Sequence, residues 1–111
     1  MIIRQLMIDS YRISTEHGFR TDLDNFPERI ALIHSELSEA LEEYRANHSF
    51  YEIYFNLESP TKPEGIAAEL ADVIIRTCEV CESLGIPLIE AIERKQAYNE
   101  TRPYRHGGKR C

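Results

Sequence analysis

Residues 30–44 read Ile-Ala-Leu-Ile-His-Ser-Glu-Leu-Ser-Glu-Ala-Leu-Glu-Glu-Tyr, and this stretch decides the fold class. Its apolar residues recur every three or four positions, which is the period of an amphipathic helix. The face that we expect to pack inward carries Ile30, Ile33, Leu37, Leu41 and Tyr44. Just upstream, residues 25–28 (Asn-Phe-Pro-Glu) offer a capping side chain, a first-turn proline and a glutamate three positions on. We therefore predict a helix over residues 26–48.

The same signals predict most of the remaining chain to be helical. Further helices are expected over residues 2–17, 62–84 and 87–101. Gly18 is a typical stop after the first of these helices. Residues 61–64 (Thr-Lys-Pro-Glu) repeat the capping arrangement of residues 25–28, so the third helix should begin near Lys62. Pro87 suits the start of the fourth helix.

Two segments fall outside this helical pattern. Residues 49–60 are rich in aromatic side chains and have no clear period, so a short strand pair, a packed loop and a turn of helix all remain open. Residues 102–111 form a basic tail. The chain as a whole, residues 1–111, is predicted to be one all-α domain, a bundle of four to five helices.

Composition and charge narrow the function classes. With 42% apolar and 29% charged residues, the 111-residue chain resembles an ordinary soluble domain. No run approaches the roughly 20 apolar residues of a membrane span, so we expect a cytoplasmic protein without membrane contact. The net charge of −6 argues against binding to nucleic-acid polymers. A polyanionic ligand would need a bridging cation.

Acidic pairs at helical spacing are the main chemical feature. Glu36-x-x-Glu39 and Glu69-x-x-Asp72 each place two carboxylates on one helix surface, because residues three apart are neighbours there. Glu43 and Arg76 extend the two stripes, which should meet if the helices pack together. Four carboxylates at one place would bind a hard cation such as magnesium. The alternative is that they form the solvent-exposed face of amphipathic helices.

On the fourth helix, the inner face changes from apolar to polar along its length. Lys95, Asn99 and Arg102 continue the stripe of Leu88 and Ile92. Such residues suit a phosphate pocket, although a helix that simply emerges into solvent would look the same. The basic tail likewise suits either a disordered end or a flap over phosphates.

The order of these pieces resembles the MazG-like, all-α nucleoside triphosphate pyrophosphohydrolases. Residues 36–43 (Glu-Leu-Ser-Glu-Ala-Leu-Glu-Glu) are similar to the E-x-x-E helix of that family, and residues 69–74 (Glu-Leu-Ala-Asp-Val-Ile) to its E-x-x-D helix. Residues 95–104, with Lys-x-x-x-Asn-x-x-Arg-Pro-Tyr, and the Gly-Gly-Lys at 107–109 are similar to its closing segment. The likeness spans residues 30–109, with a linker that is rather long for the family.

This resemblance implies both a function and a set of site residues. It implies magnesium-dependent cleavage of a nucleoside triphosphate to the monophosphate and pyrophosphate, as in the house-cleaning of nucleotide pools. The metal, for which manganese can substitute, would be held by the catalytic carboxylates Glu36, Glu39, Glu69 and Asp72. The nucleotide would be contacted by Lys95, Asn99, Arg102 and Lys109. A homodimer or a homotetramer is also implied.

Other interpretations account for parts of the pattern. A ferritin-like di-metal protein would need Glu-x-x-His, and none of the four histidines has a glutamate three positions before it. A non-catalytic helical interaction or oligomerisation module remains the main alternative. Cys78-x-x-Cys81 lacks a second ligand pair for zinc, so we expect two small core residues. The aromatic side chains of residues 50–55 could stack on a base or cover a hydrophobic surface.

Overall fold

The computed structural model describes residues 2–110, as five helices and one antiparallel hairpin. The helices are α1 (Ile2–Glu16), α2 (Phe26–Arg45), α3 (Ile66–Leu84), α4 (Leu88–Thr101) and a single turn, α5 (Arg105–Gly108). The hairpin between α2 and α3 consists of β1 (Tyr54–Asn56) and β2 (Ser59–Glu64), with Tyr54 opposite Glu64 and Asn56 opposite Ser59. The expected helical bundle is therefore interrupted by one small sheet.

Helix α3 is the centre of the fold, because α2 and α1 both pack along it. The most buried apolar cluster lies between α1 and the second half of α3 and consists of Met7, Cys78 and Cys81. Leu88 and Ile89 at the start of α4 cover this cluster. The two cysteines are core residues, as expected. Beyond that contact α4 leaves the core, and residues 93–101 are exposed.

The loop between α1 and α2 is tied to α3 through a buried carboxylate. Glu79 accepts hydrogen bonds from the Thr21 hydroxyl at 2.8 Å and from the Thr21 backbone N–H at 3.3 Å. The Ser83 hydroxyl donates a third. Thr21 and Glu79 are both buried. A buried charge with three donors is a stable arrangement, because each lost contact with water is replaced.

The predicted inward face of α2 is wrong by about a quarter turn. Leu37 and Leu41 are 46% and 56% exposed, whereas Glu36 and Ala40 are each 8% exposed and face α3. Successive helix residues point about 100° apart, so the apolar stripe lies beside the contact line rather than on it. Carboxylates from α2 therefore lie within the α2–α3 interface, and the leucines are left outside it.

The predicted start of the third helix is also wrong. Residues 59–64 form β2, and α3 begins only at Ile66. Ser59 and Lys62 each precede a proline, and a residue in that position resists helical geometry. Gly65 then separates strand from helix with φ of 124°, a conformation that suits glycine.

The second helix differs from its expected form at both ends. It ends at Arg45 rather than near residue 48. Asn47, two residues further on, adopts a left-handed conformation with φ of 68°, which is typical just after the end of a helix. At the other end Asn25 does not cap the helix with its side chain. Its amide group instead accepts from the Asp22 backbone N–H and donates to the Arg20 carbonyl oxygen.

Within residues 2–110, no helix is long and apolar enough to cross a membrane.

Candidate functional site

Three acidic side chains from α2 and α3 converge on one point. Carboxylate oxygens of Glu36, Glu69 and Asp72 all lie within 4.8 Å of one another. Glu39 lines the same concave surface and is itself exposed. We call this surface, of about 490 Å³, the carboxylate pocket. Its lining consists of Glu36, Glu39, Glu42, Glu43, Lys62, Glu64, Glu69, Asp72 and Arg76. The spacing of the two acidic pairs thus brings all four predicted carboxylates together.

Glu69 is buried without a hydrogen-bond donor. Its exposure, 8%, equals that of Glu79 on the same helix, and Glu79 receives three hydrogen bonds. Among residues 2–110, no N–H or hydroxyl group donates to the Glu69 carboxylate. Its neighbours are other carboxylates: those of Glu36, Asp72, Glu43 and Glu64 within 4.8 Å, and that of Glu39. A carboxylate held this close to other carboxylates is stabilised by a proton or a cation, because like charges disfavour its ionised form.

The electrostatics of the pocket reflect this crowding. Burial, together with Glu36 and Glu39, raises the pKa of Glu69 to about 8. Burial and then the charge of Glu36 raise the pKa of Asp72. The hydrogen bond with Glu36 also raises the pKa of Glu39. Carboxyl groups with raised pKa values hold protons that a bound cation would displace.

Arg76 partly neutralises the cluster and marks its boundary. Its Nε–H donates to Glu36 at 2.9 Å. Burial raises the pKa of Glu36, but hydrogen bonds with Glu69 and Glu39, and then with Arg76, lower that pKa below its ordinary value. The Arg76 hydrogen bond holds the Glu36 carboxylate in place. Asp72 and Arg76 also line a second, adjacent cavity.

This second cavity is mainly apolar and lies between α1, α2 and α3. Its volume is about 530 Å³, and Leu6, Ile13, Leu32 and Ile75 form much of its wall. Arg29 also lines it, with a buried Nε–H that finds no acceptor within the described chain. We call it the apolar cavity. It connects a hydrophobic space of ligand size directly to the carboxylates.

The residues predicted to contact a nucleotide lie elsewhere in the chain. Lys95 and Asn99 are exposed on α4, and the Arg102 guanidinium lies 5.5 Å from the centre of the Tyr98 ring. Lys109 is in the exposed tail beside α5. In the part of the chain that the structure describes, none of these four lines the carboxylate pocket. Their predicted role within a single chain therefore has no geometric support.

Sequence reasoning missed other members of the pocket. Glu43 and Arg76 extend the acidic stripes at helical spacing, so their position followed from the pattern even though they were not assigned a role. Lys62 and Glu64 reach the pocket from β2, with Lys62 Nζ 3.3 Å from the Glu64 carboxylate. Residues 61–64 were expected to open a helix, which would have oriented both side chains differently.

The donor set fits a hard divalent cation. Three carboxylates from two helices offer oxygen atoms only, at mutual distances that a single ion could span. Oxygen-only ligands favour magnesium or manganese over softer metals. Glu43, Glu64 and Glu69 form a second group whose oxygens lie within 4.8 Å of one another, so Glu69 belongs to both groups.

Comparison with known proteins identifies no relative of this chain. No protein-family model matches the chain, and neither a curated protein nor a solved structure is significantly similar to it.

Proposed function

We propose that this protein is a MazG-like enzyme that hydrolyses nucleoside triphosphates to the monophosphate and pyrophosphate with magnesium. The observation that carries the proposal is the Glu69 side chain, which is 8% exposed and receives no hydrogen bond from an N–H or hydroxyl group of residues 2–110. Its carboxylate oxygen lies within 4.8 Å of those of Glu36 and Asp72. Such a group destabilises the fold when no cation is bound, and it suits a cation site. The order of acidic motifs along the sequence supports the same reaction class.

Glu36, Glu69 and Asp72 would hold the metal, and Glu39 completes the site from its exposed position. Bound magnesium would neutralise phosphate charge and make water more acidic. We assign Glu39 as the general base, because it is exposed in the pocket and its pKa is raised. It takes the proton of the attacking water. The water oxygen bonds to the α-phosphorus, and the bond from that phosphorus to the oxygen bridging to the β-phosphorus breaks, releasing pyrophosphate.

The apolar cavity supplies a place for the nucleoside part of the substrate. It adjoins the carboxylates through Asp72 and Arg76, which keeps a base and its α-phosphate within one continuous surface. Its apolar walls suit a base ring, and the buried Nε–H of Arg29 offers a hydrogen bond to a base acceptor.

We further propose that the active form is a homodimer or homotetramer. Leu37 and Leu41 on α2 and Leu70 and Ile74 on α3 are 45–56% exposed. At about 100° per residue, all four lie just outside the α2–α3 contact, on the same side of the helix pair. A contiguous exposed apolar surface is typical of a protein interface.

The same apolar surface favours a second candidate, a non-catalytic helical oligomerisation module. That function would use the leucines without any need for converging carboxylates. The two candidates differ in their response to magnesium, which an interaction module would not require.

The deciding experiment is product analysis across a panel of canonical and modified nucleoside triphosphates, with wild type and the Asp72→Ala variant. The proposal predicts magnesium-dependent monophosphate and pyrophosphate from wild type and none from Asp72→Ala, with unchanged helicity by circular dichroism. A fully active Asp72→Ala would contradict the site. Absence of turnover across the panel would favour the interaction module.

A further inference from the structure

In the wall of the carboxylate pocket, carboxylates outnumber basic side chains, and the basic side chains differ in exposure and in their contacts. Within residues 2–110 the pocket wall contains seven carboxylates and two basic side chains, Lys62 and Arg76. Arg76 is committed to Glu36 through a 2.9 Å hydrogen bond in a half-buried position. Lys62 instead has a side chain that is 68% exposed and one ion pair, to Glu64 at 3.3 Å. Lys62 is therefore the cation that can turn toward an incoming anion.

The hairpin that carries Lys62 is anchored at its base. The Tyr54 hydroxyl donates to Glu43 of α2 at 2.8 Å, and the Tyr54 ring stacks on His48 with centroids 4.6 Å apart. His48 also contacts Glu52 at 2.8 Å. Just after β2, a Cβ on Gly65 would lie 2.8 Å from the Glu52 carbonyl oxygen, so the two backbone segments approach closely at the base of the hairpin.

The Tyr54 contacts fix the base of the hairpin against the end of α2, and the close approach of Gly65 to Glu52 holds its two backbone segments together. Since β2 leads straight from Lys62 to the anchored Gly65, the Lys62 backbone is held at the rim of the pocket while its long side chain stays adjustable. A ligand-binding side chain gains accuracy from a backbone that is held in this way.

The pocket also has a direction. At one end it shares Asp72 and Arg76 with the apolar cavity, and at the other end it is bounded by Glu64 and Lys62 of β2. Glu69 lies between these ends, because it belongs to both groups of close carboxylates. A ligand with its apolar part in the cavity would therefore extend its far end toward Lys62.

We infer that Lys62 binds the outer phosphates of the substrate, the pair that leaves as pyrophosphate. This inference rests on the proposed function. An ammonium group suits phosphate oxygens as a point charge, and here it offsets charge that carboxylate ligands and a triphosphate add together. The neighbouring carboxylates, Glu64 first, raise the pKa of Lys62, so it remains charged at neutral pH. Lys62 thus has a binding role at the leaving-group end.

The test compares Lys62→Met with Arg94→Met, which removes an equal charge from an exposed α4 residue paired only with Glu90. With magnesium present, Lys62→Met should raise the KM and the pyrophosphate inhibition constant by about tenfold or more, as expected for a lost charge-assisted hydrogen bond. The inhibition constant of the monophosphate should stay unchanged. Arg94→Met should match wild type, and Lys62→Arg should restore part of the affinity.

Calorimetric titration of magnesium pyrophosphate provides a readout that does not depend on turnover. Weaker pyrophosphate binding by Lys62→Met, with manganese binding unchanged or tighter, supports the inference. Equal pyrophosphate binding by wild type and Lys62→Met, or an equal loss of monophosphate binding, overturns it. If wild type turns over no nucleotide, the proposed function fails, and the pyrophosphate titration still decides the role of Lys62.

Discussion

Glu69→Gln should stabilise the metal-free protein. Burial and the neighbouring carboxyl groups of Glu36 and Glu39 raise the pKa of Glu69 to about 8, so the folded chain at neutral pH holds Glu69 mainly in the protonated form. The unfolded chain releases that proton, which favours unfolding. Glutamine has nearly the same shape, carries no charge, and can donate its amide hydrogens to Glu36 or Glu39. The substitution therefore removes the penalty while keeping the packing.

The size of the effect follows from the shift in pKa. Glu69 is raised from an ordinary value of 4.5 to about 8. At neutral pH the difference in the pKa of Glu69 between the folded and unfolded chains lowers the free energy of unfolding by roughly 3 kcal/mol, at about 1.4 kcal/mol per pKa unit. Because Glu36 and Glu39 titrate together with Glu69, only part of this effect belongs to Glu69 itself. We therefore expect Glu69→Gln to raise the free energy of unfolding by about 2 kcal/mol. For a chain of this length that is an increase in Tm of about 8 °C.

Glu79→Gln is the matched control, because Glu79 is equally buried on the same helix and is satisfied by donors from Thr21 and Ser83. That substitution should lower stability by about 1–2 kcal/mol, since it weakens hydrogen bonds to a charged acceptor. Thermal unfolding followed by circular dichroism measures both variants. Excess magnesium should raise the Tm of wild type and of Glu79→Gln, but not that of Glu69→Gln. A Glu69→Gln variant that is destabilised like Glu79→Gln, or that keeps the magnesium shift, would refute the reasoning.

Three further results are expected. In urea titrations without metal, the free energy of unfolding of wild type should fall as pH rises from about 5 to about 8. The reason is that folded Glu69 retains a proton that the unfolded chain loses. A free energy of unfolding that stays constant or rises over this range would contradict this. Gly65→Ala should lower the Tm more than Gly85→Ala: both glycines have positive φ, but only at Gly65 would the new Cβ meet a backbone oxygen, at 2.8 Å. Equal losses would argue against the close approach. Leu41→Glu and Ile74→Glu should each convert an oligomer to a monomer in light scattering, since both side chains are 56% exposed in the single chain, and an unchanged mass would exclude this surface as the interface.

The acidic centre of the site could be predicted from the sequence because it depends on local geometry. Residues three apart on a helix are neighbours wherever the helix lies, so the pairs Glu36–Glu39 and Glu69–Asp72 follow from spacing alone. Where the two pairs meet depends on which faces the helices pack together, and the apolar pattern misleads there, because Leu37 and Leu41 lie outside the α2–α3 contact. The structure nevertheless brings carboxylate oxygens of Glu36, Glu69 and Asp72 within 4.8 Å of one another.

The orientation of α2 and the form of β2 were not predictable in the same way. The leucines of α2 form the expected apolar stripe, but in the single chain they do not face α3. Periodicity locates a stripe without stating what covers it. For residues 61–64 the capping pattern competed with pairing to β1, and the pairing prevailed because Tyr54 opposite Glu64 is a tertiary contact that no local signal records. The arrival of Lys62 at the pocket depends on that pairing.

The most direct test of the central claim is phosphorus NMR of a nucleoside triphosphate incubated with the protein in oxygen-18-labelled water, with and without magnesium. Our account predicts that monophosphate and pyrophosphate appear only with magnesium and that the label enters the monophosphate, because water attacks the α-phosphorus. Diphosphate and inorganic phosphate as products, label in pyrophosphate, or equal turnover without magnesium would contradict it.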